Sequence, residues 1–319
     1  MSSRFPELQA PAPRPRAPLP LAARRARAVA AAVVAALLPA AAAAIVLLGA
    51  HDSSAGAPRR VLRVAADPNN YPFTDSLRRG FENRIADLLA RDLGMEVRYV
   101  WRAQRRGFFR ETLSSGDADL VLAAPAGFDK ALTTGPYYRS SYVLVSRRDR
   151  KLRIRSLDDP ALRGLRIGVP LVGGDGTNPP PALALARRGL AANVVGYTVY
   201  GDYREPSPPA RILDAVARGD IDVAAVWGPL AGDYAKRSPV ALDVRPIVPE
   251  REDAGIPFAF DISMAVRKGN AALRDSIDGV LRKESHAIAR ILDRYGVPRL
   301  DSPRPASATD ASAAKERAP

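Results

Sequence analysis

Residues 61–94 read "VLRVAADPNNYPFTDSLRRGFENRIADLLARDLG", and this stretch decides the fold. It opens on a β-rich run, "VLRVAAD", and breaks into two asparagines flanked by prolines and an aromatic pair. It then resumes as a helix near Gly80, with apolar residues at Phe81, Ile85, Leu88, Leu89 and Leu93. That spacing is the one-sided stripe of a core-packed helix, and Gly94 stands where a left-handed cap belongs. A strand "MEVRYVW", a helix around "GFFRETLSS" stopped by Gly116, and an apolar strand "DLVLAAP" follow. Apolar strands joined through helical crossovers predict a mainly parallel sheet in an α/β fold.

The pattern recurs. "LRVAADP" at 62–68 is echoed by "LRIGVPL" at 165–171, and "SSGDADLVLAAPAG" by "ARGDIDVAAVWGPLAG". Leu62 and Leu165 lie 103 residues apart, and so do Gly116 and Gly219. Two matches at one offset predict two similarly built lobes. The stretch "FAFDISMAVRKGNAALRDSIDGVLRKESHAIARILDRYG" adds a strand and a long amphipathic helix that neither lobe requires, and its place is back on the first lobe. The expected organisation is a two-lobed α/β fold with residues 58–145 plus 256–300 as lobe 1 and 146–255 as lobe 2. Two crossings, near "SSYVLVSRR" and "FAFDISMAV", form the hinge, and hinged lobes close on something between them.

The N-terminus stands apart. "LAARRARAVAAAVVAALLPAAAAAIVLLGA" has a basic region ending at Arg27 and an apolar run over 28–50, which reads as an export signal or an N-terminal membrane anchor occupying residues 1–57. Positive residues before the apolar run leave the remainder outside the cytoplasm, in the periplasm. The Ser/Pro/Ala-rich tail from Asp301 is expected to be disordered.

Composition narrows the chemistry. The chain of 319 residues has 48 Lys+Arg against 34 Asp+Glu, a formal charge of +14. Residues 1–60 carry eight arginines against Glu7 and Asp52, and the +8 left for the rest is spread without a basic block or interleaved aromatics, so nucleic acid is not the expected partner. There is no cysteine, and the two histidines, His51 and His286, lie in the leader and in a late helix. Thiol nucleophiles, disulfides, Cys/His zinc sites and Ser-His-Asp triads are therefore excluded. No metal or cofactor is expected.

In open α/β sheets ligands bind beyond the carboxyl ends of the strands, which is where "DPNNYPF" falls. Asp67, Asn69 and Asn70 offer hydrogen bonds, and Tyr71 and Phe73 can wall a ligand. The second lobe's equivalent loop, "VPLVGGDGTNPP", offers Gly173, Gly174, Asp175 and Thr177; the glycines admit close backbone approach, and Thr177 is placed to cap the following helix. Trp101, Pro125, Tyr137, Tyr138, Tyr200, Tyr203 and Trp227 follow strands or sit at loop edges, where rings line a cleft or pack a hinge. Arg105 and Arg106 are candidate anion contacts, and Asp202 a second polar contact. A carboxylate-based hydrolase built on this scaffold, with Asp67 as the residue whose replacement would test it, is the third-ranked reading.

From about Leu62 to Leu300 the chain resembles the type II periplasmic solute-binding proteins, family 3-like. More narrowly, it resembles their quinoprotein-dehydrogenase-associated branch, the MoxJ-type methanol-oxidation proteins. The residues that carry this are "ADPNNYPF", "GFENRIADLLARDLG", "QRRGFFRETL", "PAGFDKALTTGPYYRSSYV", "DGTNPPPALALARRG", "YGDYREPSPPARILDAVARGDIDVAAVWGPLAG" and "FAFDISMAVRKG". The resemblance implies an exported, non-enzymatic two-lobed protein serving a pyrroloquinoline-quinone alcohol dehydrogenase or its cytochrome. The alternative is the binding component of an importer for a small polar solute. There are departures. Relatives often carry cysteines where this chain has Ala65 and Ala118, and many have arginine where it has Gly135. Amino-acid binders of the wider family hold a carboxylate with an arginine before the "PY" segment and an ammonium with an acid after the later "DxDAVV" strand. Here the first region offers only Lys130 and the second offers Trp227 and Gly228, so an ordinary amino acid is not the expected ligand.

Overall fold

The run that opens the folded part forms β1 (Arg60–Ala66), and its parallel partner β4 (Met95–Trp101) lies in register from Arg60↔Met95 to Ala66↔Trp101. The computed structural model describes residues 60–171, 178–199, 203–204, 207–252 and 255–300. The leader, the tail from Asp301, and the candidate residues Gly173, Gly174, Asp175, Thr177, Tyr200 and Asp202 lie outside the described residues. Among the described residues no helix is long and apolar enough to cross a membrane.

Between β1 and β4 come the short pair β2 (Asn69–Asn70) and β3 (Thr74–Asp75), then α1 (Phe81–Asp92). The predicted stripe of α1 is inside: Phe81, Ile85 and Leu89 are fully buried and Leu88 nearly so. Gly94 follows with φ +62°, the conformation that glycine adopts without penalty. Gly80 is required for a different reason. A Cβ there would lie 2.0 Å from the Phe73 carbonyl oxygen, so only glycine lets the helix start against the preceding loop.

The chain continues through β5 (Leu120–Pro125), β6 (Leu132–Thr133) and β7 (Tyr138–Arg147). The second repeat supplies β8 (Ile167–Leu171), α2 (Pro180–Arg187), β9 (Val194–Thr198), α3 (Arg211–Arg218), β10 (Val223–Trp227) and α4 (Gly228–Arg237). Then follow β11 (Leu242–Pro246), β12 (Ala259–Val266), α5 (Ala271–Lys283) and α6 (Ser285–Arg294).

The strands run in the order β4-β1-β5-β12-β7-β10-β8-β9, with β6 on β12 and β11 on β7. Each end of the sheet is parallel (β4, β1 and β5; β10, β8 and β9), and the antiparallel strands β12 and β7 lie between them. The long strand β7 belongs to both ends. Tyr138–Ser141 pair with β12, whereas Tyr142–Ser146 pair with β10. The strands β12 and β7 therefore meet at Ala259–Ile262 against Tyr138–Ser141, and the result is a mixed α/β fold whose two parallel ends are joined through this antiparallel pair.

Two expected helices differ. The late helix is two helices with a break at Glu284: its apolar stripe runs Ile277, Val280 and Leu281, then Ile288 and Leu292, and Glu284 occupies the stripe position between them. A carboxylate cannot continue into the core unpaired, so the chain turns there. Around "GFFRETLSS", Arg110–Ser114 make a π-helical turn, where Thr112 Oγ1 donates to the Phe108 carbonyl (2.6 Å) and Ser115 Oγ to that of Thr112 (3.0 Å). Hydroxyls that bond local carbonyls compete with the regular ladder.

Candidate functional site

The loop after β1 is built around Asp67, which is almost fully buried. Its Oδ1 accepts from the Asn69 N–H (2.9 Å), its Oδ2 from the Gln104 N–H (2.8 Å), and its carbonyl from Thr74 Oγ1 (2.7 Å). One side chain thus ties this loop to the loop that follows β4. Burial pushes the Asp67 carboxyl above the usual carboxylate range, while the two N–H groups and the charge of Arg105 pull it down. Asn70, also buried, donates from Nδ2 to Gln104 Oε1 (3.0 Å), and its Oδ1 is buried with no donor. An orphaned buried acceptor is uncommon and marks a place where a group is due.

Tyr71 reaches in another direction. Its hydroxyl donates to Asp233 Oδ1 on α4 (3.3 Å), and its ring lies under the guanidinium groups of Arg237 (5.0 Å) and Arg79 (5.9 Å). Asp233 Oδ2 in turn accepts from Arg237 Nη2 (2.6 Å), and Arg79 is paired with Asp75. Burial first, and then the charge of Asp233, raise the Tyr71 phenol above its ordinary value.

The remaining candidates divide by location. Arg105 and Tyr203 are exposed, and both interact electrostatically with Asp67, so Asp67, Asn69, Asn70, Arg105 and Tyr203 are brought to one neighbourhood. Arg106 is exposed in the same loop. Trp101 instead stacks on Tyr99 (4.5 Å between ring centres) along β4. Phe73 packs on Phe81 (5.3 Å), and Tyr138 on Phe81 (6.4 Å) and Tyr137 (4.9 Å), within the core of the first end of the sheet. The Tyr137 hydroxyl donates to the Leu122 carbonyl (3.0 Å). Trp227 sits where β10 becomes α4, in edge contact with Tyr142 and Phe260 at the crossing strands. Pro125 is exposed at the end of β5. The helix α2 has Pro179 at its N-cap with no side-chain cap, and the expected cap, Thr177, lies outside the described residues.

Sequence reasoning did not single out Gln104, Asp233 or Arg237, nor the burial of Glu82. Glu82, in the first turn of α1, is buried beside Tyr137 and Tyr138, and desolvation pushes its carboxyl up to about 8. Among the described residues no cluster of His, Cys, Asp or Glu could hold a metal ion.

The family model for bacterial extracellular solute-binding proteins, family 3, matches residues 62–298. The chain belongs to this family. Among its curated relatives is Protein MoxJ of Methylorubrum extorquens, 33% identical over 69% of this chain and 76% of that one. Protein MoxJ of Paracoccus denitrificans is 30% identical over 78% of this chain and 93% of its own length. Among solved structures, MxaJ from Methlophaga aminisulfidivorans superposes with a TM-score of 0.65 at 26% identity, over 75% of this chain and all of that one. The periplasmic binding protein XoxJ from Methylobacterium extorquens does so with a TM-score of 0.61 at 35% identity, over 76% of this chain and all of its own. The family and these relatives are binding proteins.

Proposed function

We propose that this chain is a periplasmic accessory factor of a quinoprotein alcohol dehydrogenase system, receiving a protein segment or a small molecule between lobes formed by residues 58–145 with 256–300 and by 146–255. The observation that carries this reading is the engagement of the charged groups around the Asp67–Phe73 loop. Asp67 is held by two backbone N–H groups and Asp233 by Tyr71 and Arg237, while Arg79 is paired with Asp75. A zwitterionic amino acid needs one free cation and one free anion at opposed positions, and these groups are already matched internally. The likeness to the MoxJ proteins, to MxaJ and to the periplasmic binding protein XoxJ supports this reading.

A second reading has its own support. Asn70 Oδ1, buried without a donor beside Gln104, suits the N–H or O–H of a small neutral solute, as expected of the binding component of an importer. Size-exclusion chromatography of the full chain with and without the host's periplasmic quinoprotein alcohol dehydrogenase, at low and moderate salt, separates the two. Co-elution that weakens with salt supports the accessory role. Independent elution at micromolar concentrations, together with a melting shift produced by neutral polar solutes, transfers the site to the importer reading.

A further inference from the structure

The helices α1 and α6 frame a groove of about 470 Å³. Its floor is apolar, made of Leu88, Ala287, Ile291 and Tyr295, and its rims carry Arg84 and Arg91 from α1 and Arg290 and Arg294 from α6. All four arginines are exposed, and no ion pair within the described residues engages any of them. Of the carboxylates of the same helices, Glu82 is buried and the others are paired elsewhere: Asp87 with Arg78, Asp92 with Lys283 and Asp293 with Arg299. The rims therefore hold four uncompensated positive charges above a strip of hydrocarbon.

From this arrangement we infer that the groove docks an acidic amphipathic helix of a partner protein, independently of what the interlobe cleft receives. Charge and spacing support this occupant. Arg84 and Arg91 are seven residues apart, ~10 Å along the helix axis, and Arg290 and Arg294 are four apart, ~6 Å. One phosphate or one carboxylate cannot span four guanidinium groups spread over that length. Carboxylates spaced by one and two helical turns can, and the apolar ridge between them would fill the floor. Arginine is the side chain suited to such pairs, because its planar fork binds carboxylate in a bidentate manner while its stem covers apolar surface. The floor is recessed between two helices, so a flat bilayer surface would meet the arginines without reaching Leu88 or Ile291.

The test uses the full chain and a fluorescent synthetic amphipathic peptide with glutamates flanking a leucine ridge, followed by anisotropy at low and moderate salt. A second peptide carries lysine at every glutamate position. The wild type is expected to bind the acidic peptide in a salt-dependent way and to ignore the basic one. Replacing all four arginines (Arg84→Gln, Arg91→Gln, Arg290→Gln, Arg294→Gln) is expected to weaken binding by about tenfold to a hundredfold, since exposed pairs each contribute modestly. A control carrying Arg153→Gln, Arg155→Gln, Arg163→Gln and Arg211→Gln, at exposed sites elsewhere, is expected to stay within about twofold. Ile291→Ser is expected to weaken the binding that persists at moderate salt, and it decides the matter if the fourfold variant does not fold. Equal binding by the groove and control variants, binding of the basic peptide, or displacement of the acidic peptide by inorganic phosphate or anionic phospholipid vesicles would each overturn the inference.

Discussion

Replacing Glu82 with glutamine should stabilise the protein, and by an amount that depends on pH. The carboxyl is buried in the first turn of α1, close to Tyr137 and Tyr138, and desolvation lifts it from the ordinary 4.5 to about 8. The helix N-terminus favours a negative charge by up to ~1 kcal/mol, too little to offset burial. The folded protein therefore holds a proton that the unfolded chain releases. Because the folded value is raised, the stability from this group is complete below pH 4.5, is lost as the pH rises through 8, and is constant above. Across that window the difference amounts to ~5 kcal/mol. Glutamine has a similar shape and does not ionise. Urea unfolding of wild type and Glu82→Gln, compared at matched pH, should show a gap of under ~1 kcal/mol near pH 5 that widens to ~3 kcal/mol near pH 7 and ~5 kcal/mol near pH 9. Asp67, whose carboxyl is also raised by burial, titrates in both proteins and cancels in the comparison. A gap that stays constant from acid to alkaline pH would show that Glu82 is hydrated in the folded state, and would refute the assignment of a neutral buried acid.

Gly80→Ala and Gly232→Ala place a Cβ 2.0 Å from the Phe73 carbonyl oxygen and 1.9 Å from that of Gly296, so each should lower the unfolding free energy by more than ~3 kcal/mol in denaturant titrations. Gly279→Ala, in the middle of α5 with nothing near its Cβ, should raise it by ~0.5–1 kcal/mol, the usual helix-propensity gain. Tyr71→Phe removes the hydroxyl that donates to Asp233 and should cost ~1 kcal/mol, with faster amide exchange confined to the loop over 67–75; unchanged exchange there would separate Tyr71 from the ordering of that loop.

What could be read from the sequence follows from how local each signal is. The strand, loop and helix of residues 61–94 were legible because periodicity, a glycine start and a glycine stop act within a few residues of one another. The 103-residue echo was legible because β1 and β8, and β5 and β10, are equivalent strands whose apolar runs must look alike. The position of the break at Glu284 needs knowledge of which helix face is buried, and one charged residue in a long amphipathic run does not disclose it. The burial of Glu82 is similarly hidden. Its neighbours Phe81 and Ile85 are core residues, but whether the residue beside them faces solvent depends on Tyr137 and Tyr138, more than fifty positions away.

The Tyr71–Asp233 contact shows why a cleft is harder to read than a fold. Taken alone, Tyr71 belongs to a ligand loop, and Asp233 is an unremarked acid within "GPLAGDYAKR". Their meeting follows from α4, which is pressed against β7 and the end of α6 at several points. A Cβ at Gly228 would lie 2.7 Å from the Ser141 carbonyl oxygen, Gly232 touches Gly296, and Lys236 Nζ donates to the Asp293 carbonyl (2.7 Å). Backbone contacts this tight leave α4 little room to slide. Asp233 is thereby held at a fixed station, and Tyr71, carried by a loop that Asp67 pins to Gln104, reaches it. Tyr71 is thus engaged with Asp233 and Arg237 of α4, whereas Asn70 is engaged with Gln104 on the loop after β4.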